Sequence, residues 1–397
     1  MTPPARLQAA IECLDLIVDA ARARGAAADT LIQRYFQTRR YAGSGDRRAV
    51  RSLVYAAIRS LGEVPASGRA AVIGHARAHD PALLALFGGD GHAPPALIDG
   101  EAEAALGLAP AWLVAALAAR FGEDTPRQLA ALLDRAPLDL RINTLKAARD
   151  TVAVELGEVE AVALSPDALR SLVDRNIDTQ AAYRDGRVEV QDAGSQFAAL
   201  ACEARGGETV FDLCAGAGGK TLALAAAMGN AGRLIACDTD RARLQQLTPR
   251  AARAGATIET RLLDPAREAA ALADLAGTAD LVLIDAPCSG TGTWRRNPEA
   301  RWRLTPARLA RLTAEQDRLL ALGATLTRPG GRLVYVVCSL LPVEGEARHA
   351  AFLAAHPDWE THTLRNPNGG AAVSSVVLTP GDDGCDGFFM GAARRIC

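Results

Sequence analysis

The sequence predicts an α/β protein in which a doubly wound parallel sheet follows a helical bundle and a small strand–helix–strand module. Three observations carry this. From about residue 186, apolar strands alternate with helical stretches: ETVFDL, TLALAAAM, RLIACD, RARLQQLTPRAARAG, TIETRLLD, DLVLID, a long helix after Thr305 and Pro306, and RLVYVVC. Such alternation packs helices on both faces of a parallel sheet. From about 5 to 130, Ala- and Leu-rich stretches with helical spacing, such as LQAAIECLDLIVDAARA and PAWLVAALAARF, are separated by turn signals such as YAGSGD and GGDGHAPP. Between these regions, PLDLRINTLK and VEAVALSPDALRSLV read as a short bridging module. The expected domains are 1–130, 131–185 and 186–397.

The composition narrows the class. A chain of 397 residues exceeds one ordinary core. With 49% apolar residues and a net charge of -2 it is globular rather than disordered. No apolar run approaches the roughly 18 residues that span a bilayer, and MTPPARLQAA lacks the apolar stretch of a signal peptide, so a cytoplasmic location without membrane contact is expected. The eight cysteines, at 13, 202, 214, 237, 288, 338, 385 and 397, form no CxxC pair, and neither a disulfide framework nor a metal site is expected.

Two features of the basic residues stand out. Arg34, Arg39, Arg40, Arg47, Arg48, Arg51 and Arg59 surround Tyr35, Phe36, Tyr41 and Tyr55, a mixture suited to phosphate contact and base stacking or, alternatively, to a solvated helix face over a buried aromatic stripe. Of the 44 basic residues only Lys146 and Lys220 are lysine. A compact ammonium does what a guanidinium fork cannot.

In FDLCAGAGGKTLALAA a strand runs into a glycine-rich turn and then a helix, which favours a polar or anionic ligand. A P-loop would need glycine where Cys214 stands, and a dinucleotide fingerprint on Gly216 and Gly218 would need Gly or Ala at Thr221. The reading that remains is a nucleoside without pyrophosphate: the turn from Cys214, Ala215, Gly216, Ala217 and Gly218 to Gly219 approaches the ligand closely, and Asp238, ending the next strand, accepts from the ribose hydroxyls. S-adenosylmethionine fits this description. Asp264 could then meet the adenine, and Asp285 completes a row of acidic strand ends; taken singly, each aspartate also fits a turn or cap.

Two strands end in a cysteine, DLVLIDAPCSGTGT at Cys288 and RLVYVVCSLLPVEGE at Cys338. These blocks, with DLCAGAGGKT, RINTLK, QDAGSQ and DGFFMGAARR, resemble the Sun/Nop family of RNA cytosine-5 methyltransferases. The N-terminal part, with GSGDRRAVRSLVYAAIRS, is most similar to its bacterial small-subunit ribosomal RNA branch of type B, whose leading domain is NusB-like. The resemblance implies a Rossmann-like class I methyltransferase domain behind an all-α NusB-like domain, with S-adenosylmethionine as cofactor and ribosomal RNA as partner, acting as a monomer.

It further implies that Cys338 adds to carbon 6 of cytosine, because carbon 5 is too weak a nucleophile until a thiolate makes the ring enamine-like. Cys288 would assist product release, Asp285 would hydrogen-bond the amino group or ring nitrogen 3, and Lys220 would lie between donor and base. Arg243 joins Lys220, Asp238, Asp264 and Asp285 among the expected cofactor contacts. Cys13, Cys202, Cys237, Cys385 and Cys397 are expected to be structural. The target base must be unpaired or flipped, and the segment WRRNPEARWRLTPARLAR, with Arg295, Arg296, Arg301, Arg303, Arg308 and Arg311 beside Trp294 and Trp302, is expected to face RNA. The chain departs from the family pattern at Val337, where threonine is usual, at Gly345, where asparagine is usual, and at Trp294, where an aliphatic residue is usual. A non-catalytic RNA-binding assembly factor and a DNA methyltransferase attacking through Cys288 are the alternatives.

Overall fold

The computed structural model describes residues 1–23, 25–265 and 267–396, so the expectation for Cys397 lies outside the described residues. The chain forms two compact units, one of Met1–Arg135 with Thr293–Thr305, the other of Ala136–Gly292 with the chain from Pro306 onward.

The first unit is helical: α1 (Pro3–Ala23), α2 (Ala28–Gln37), α3 (Ser44–Ser60), α4 (Gly68–His79), α5 (Ala111–Phe121) and α6 (Thr125–Leu133). Along α1, Leu7, Ala10, Leu14, Ile17 and Ala21 recur every three or four residues and are buried. The Ser67 side chain accepts from the Ala70 N–H at 3.1 Å and caps α4. Of the two readings of the arginine–aromatic stretch, the buried stripe holds for Tyr35, Phe36 and Tyr55, which join the core; Tyr41 is exposed. Arg39 lies 3.7 Å over the Tyr35 ring while pairing with Glu12, and Arg51 pairs with Asp29.

The segment Thr293–Thr305 corrects a sequence expectation. Trp294, Arg301 and Trp302 do not face RNA, for Trp294 and Arg301 are fully buried and Trp302 packs into the helical core, while Arg296, Arg308 and Arg311 keep partly or fully exposed surface. The physical reason is the unfilled hydrogen-bonding groups at helix ends. Arg301 donates to the carbonyls of Ile58 and Leu61 (2.6 and 2.7 Å) where α3 finishes. Glu299 accepts from the Ala28 N–H at the start of α2 (3.0 Å), and Arg303 donates to the Ala26 carbonyl (2.8 Å). A charged segment with aromatic anchors reads in sequence like a nucleic-acid strip; here its charges serve backbone.

The second unit opens with an antiparallel sheet of β1 (Asp139–Ile142), β2 (Val159–Ala161), β3 (Ala168–Ser171) and β4 (Val188–Val190), in the order β2-β3-β1-β4, with helices α7 (Arg149–Leu156) and α8 (Ala181–Arg184). The module therefore runs past the expected boundary at 185, because Val188–Val190 pairs with β1.

The main sheet follows: α9 (Ala193–Leu200), β5 (Thr209–Asp212), α10 (Gly219–Ala227), β6 (Arg233–Asp238), α11 (Arg241–Ala254), β7 (Glu259–Leu262), β8 (Ala279–Asp285), β9 (Thr327–Val337), β10 (Trp359–His362), β11 (Ser375–Leu378) and β12 (Phe388–Arg395). Strands β7, β6, β5, β8 and β9 are parallel neighbours in that order, as the alternating pattern predicts. Beyond β9 the sheet turns antiparallel through β12, whose other side pairs with β11 along residues 388–391 and with β10 along residues 392–395, a change that the sequence pattern did not announce.

The RINTLK stretch locks the small sheet to α11. Asn143 donates to the carbonyls of Gly186 and Ala254, both at 2.7 Å. Lys146 donates to the backbone carbonyls of Asp185 (2.9 Å) and of Arg253 in the last turn of α11 (2.6 Å), where an ammonium complements the helix dipole. One of the two lysines thus has an architectural task.

Replacing Arg301 by alanine is expected to destabilise the helical unit by about 3 kcal/mol, since buried carbonyls lose their donor. Amide exchange in α3 checks this; unchanged protection would contradict it.

Candidate active site

Strands β8 and β9 are parallel neighbours with Asp285 opposite Val336, so both chains leave the sheet at the same edge. Cys288 follows in one loop and Cys338 in the other, and their sulfurs lie 3.3 Å apart. The loops are tied by backbone as well: Gly292 N–H donates to the Cys338 carbonyl (3.0 Å) and Leu340 N–H to the Thr291 hydroxyl (2.8 Å). The bond with Cys338, followed by burial, raises the Cys288 thiol well above the ordinary range.

Both thiols line a cavity of about 450 Å³ that Asp285, Cys214, Asp238 and Arg243 also line. Asp238, at the end of β6, is buried; its two oxygens accept from the N–H groups of Gly216 and Asp240, both at 2.7 Å. Those bonds aim the carboxylate and leave it lone pairs for a ligand.

The glycine-rich turn between β5 and α10 is held from several sides. Ala215 N–H donates to the Cys237 carbonyl, Arg250 donates to the Ala217 carbonyl (2.5 Å) and Arg141 to the Gly219 carbonyl (2.7 Å). Gly216 and Gly218 take φ of +55° and +87°. A Cβ on Gly218 would come within 2.1 Å of Leu247 Cδ1, so the turn lies directly on α11.

Lys220, in the first turn of α10, is buried and donates to Asp285 at 2.7 Å, with its ammonium 5.3 Å from the Phe388 ring. Burial would lower the lysine, but Asp285 more than offsets this and its proton affinity rises. The second lysine therefore serves the site itself. Asp264, by contrast, is exposed and does not line the cavity; Leu263 and Glu268 do.

Of the departures, Gly345 has a packing reason, since a Cβ there would meet the Phe389 ring at 2.6 Å. Val337 is fully buried opposite Phe389 in the sheet. Cys13, Cys202, Cys237 and Cys385 are buried. His75 and His79 lie one helical turn apart in α4, yet among the described residues no three His, Cys, Asp or Glu side chains are grouped to hold a metal.

Sequence reasoning passed over two buried carboxylates. Asp212 ends β5 with one oxygen accepting from the Thr221 hydroxyl at 2.7 Å and the other without a partner. A strand-final acid directly before a glycine turn was the available signal. Glu344 is fully buried between the two thiol loops. Only its place in the CS-xx-PxE block pointed to it.

Similarity to known proteins gives the family. Residues 199–394 match the profile of 16S rRNA methyltransferase RsmB/F, and residues 109–177 that of the ferredoxin-like domain of RsmF/B-like methyltransferases. A ribosomal RNA small subunit methyltransferase B of Sodalis glossinidius is 34% identical over 75% of this chain and 68% of its own length. The chain belongs to the RsmB/F family of 16S ribosomal RNA methyltransferases. A probable enzyme of the same description from Synechocystis is 37% identical over 72% of this chain and 66% of its own length, so the matched regions span about two thirds of these relatives. The crystal structure of a protein described as PH0851 shares the fold across 100% of this chain and 99% of its own, at 25% identity and a TM-score of 0.79.

S-adenosylmethionine is the methyl donor of the family, and the site fits it. Cys214 at the head of the turn lines the cavity, Asp238 is oriented by backbone, and the cavity falls within the roughly 300–1,000 Å³ of small-molecule sites. Asp238 would hold the ribose and the Cys214–Gly219 turn the rest of the nucleoside.

Burial lifts Asp212 to about 7, so the folded protein keeps a proton that the unfolded chain loses near pH 4. Stability from this group is complete below pH 4 and is lost as pH rises through about 7. Relative to Asp212→Asn, the native protein should lose up to about 4 kcal/mol between pH 4 and pH 8. Urea unfolding of both at several pH values checks this; a pH-independent difference would refute it.

Proposed function

We propose that this chain methylates carbon 5 of a cytosine in small-subunit ribosomal RNA through a covalent bond from Cys338 to carbon 6. The observation that carries the reading is the pair of sulfurs 3.3 Å apart at a cavity that Asp285 and Asp238 share. When bound, S-adenosylmethionine supplies an electrophilic methyl group.

The side chains divide the remaining work. Attack is assigned to Cys338 and release to Cys288, the division that the family resemblance implies, with the two sulfurs close enough for either thiol to donate to the other. Bonding of the Cys338 sulfur to carbon 6 pushes electron density to carbon 5. Asp285, fixed by Lys220 and lining the cavity, accepts from the exocyclic amino group and orients the ring. Once the carbon 5 proton is lost, the carbon 6–sulfur bond breaks and the electron pair returns to the Cys338 sulfur. The Cys288 S–H beside it can donate to that departing charge.

An intact duplex hides both faces of the base, so a single-stranded or flipped cytosine fits best. With Trp294, Arg301 and Trp302 committed to packing, exposed arginines of the helical unit such as Arg34, Arg40 and Arg48 are the better phosphate contacts.

Exchanging each thiol separately tests the division of labour. Cys288→Ala should accumulate a covalent protein–RNA adduct, whereas Cys338→Ala should form none, with turnover falling at least about 100-fold in both. An adduct that survives loss of Cys338 and disappears with loss of Cys288 would reverse the roles.

A further inference from the structure

We infer that Glu344 is the positioning residue of the two-thiol centre: one buried carboxylate grips the residue after each cysteine and fixes the distance between the sulfurs. The inference rests on the two-thiol reading above for its catalytic meaning, but its geometry stands apart from that reading.

Glu344 has no exposed surface. Its Oε1 accepts from the Ser289 N–H at 2.8 Å and from Gln316 Nε2 at 3.0 Å. Its Oε2 accepts from the Ser339 hydroxyl at 2.5 Å and from the Ser289 hydroxyl. Ser289 directly follows Cys288, and Ser339 directly follows Cys338. Gln316 also donates to the Pro287 carbonyl at 2.9 Å, so Cys288 is held on both sides. The Glu344 carbonyl in turn accepts from the buried Tyr335 hydroxyl of β9 at 2.6 Å.

The chemistry of the donor set calls for a carboxylate. Four donors converge on two oxygens, and the Ser289 backbone N–H can only donate, while Gln316 gives its NH₂ both to Glu344 and to the Pro287 carbonyl. An amide has only one accepting oxygen, so Glu344→Gln keeps the volume but sets an NH₂ group against donors or forces the serine hydroxyls to reverse. Either change loosens one loop against the other. A displacement of reacting groups by about 1 Å can cost about 100-fold in rate.

Two readouts on the full-length protein separate this from a merely structural role. The first is closure of a Cys288–Cys338 disulfide with an aromatic disulfide reagent. The two thiols give up two electrons and two protons while the reagent is reduced to two aromatic thiols, which needs sulfur proximity and no methyl transfer. The second is kcat and KM for methylation of small-subunit ribosomal RNA.

Glu344→Gln should close the disulfide at least tenfold more slowly and lower kcat about 100-fold, with KM for S-adenosylmethionine within twofold. Ser289→Ala and Ser339→Ala, each removing a single hydroxyl, should fall between it and the native protein, which guards against a variant that does not fold. Native rates of closure and turnover in folded Glu344→Gln would overturn the inference. Slower closure with native turnover would uphold Glu344 as the clamp and refute the two-thiol reading instead.

Discussion

The site depends on one constraint: β8 and β9 are adjacent and parallel, with Asp285 opposite Val336. Parallel neighbours release their chains at the same sheet edge, so two loops far apart in sequence must share one small volume. The 3.3 Å contact between Cys288 and Cys338 follows from that register. A shift of one residue would turn each strand's side chains to the opposite face. The core under the site resists such a shift, with Val282, Leu283 and Ile284 opposite Leu333, Val334 and Tyr335, all buried.

Charge at the site is organised rather than merely concentrated. Asp285 is matched by Lys220, and Asp238 by two backbone N–H groups, so each carboxylate is directed without being neutralised by solvent. Asp212 differs, for it has one hydroxyl donor, no exposure and a raised affinity for its proton. Directly behind the glycine turn, Asp212 accepts from the Thr221 hydroxyl and holds its proton to higher pH than a free carboxyl does. The two lysines divide between site and scaffold, Lys220 inside the cation–carboxylate pair and Lys146 on the carbonyls that end α11.

Much of this was legible in the sequence because the relevant signals are local. Alternating strands and helices announced the parallel sheet, and the paired strand-end cysteines announced two loops whose sulfurs meet. What escaped depends on contacts between distant residues. The antiparallel β12 follows from pairing with β9 across some fifty residues. Glu344 matters through Ser289 and Gln316, which no spacing rule connects to it. The segment from Trp294 to Arg303 misled because arginine and tryptophan beside a reactive turn look alike whether they meet phosphates or helix ends; only burial of Arg301 against Ile58 and Leu61 separates the two.

The assignment of attack to Cys338 is the central claim, and the native protein can report on it directly. With RNA that carries 5-fluorocytosine at the target and S-adenosylmethionine present, the fluorine blocks loss of a proton from carbon 5, so the enzyme stays bonded to the base. Digestion and mass spectrometry then locate the bond. The proposed division of labour predicts the modified nucleotide on the peptide containing Cys338; finding it on the peptide containing Cys288, or finding no adduct while unmodified RNA is methylated, would contradict the account.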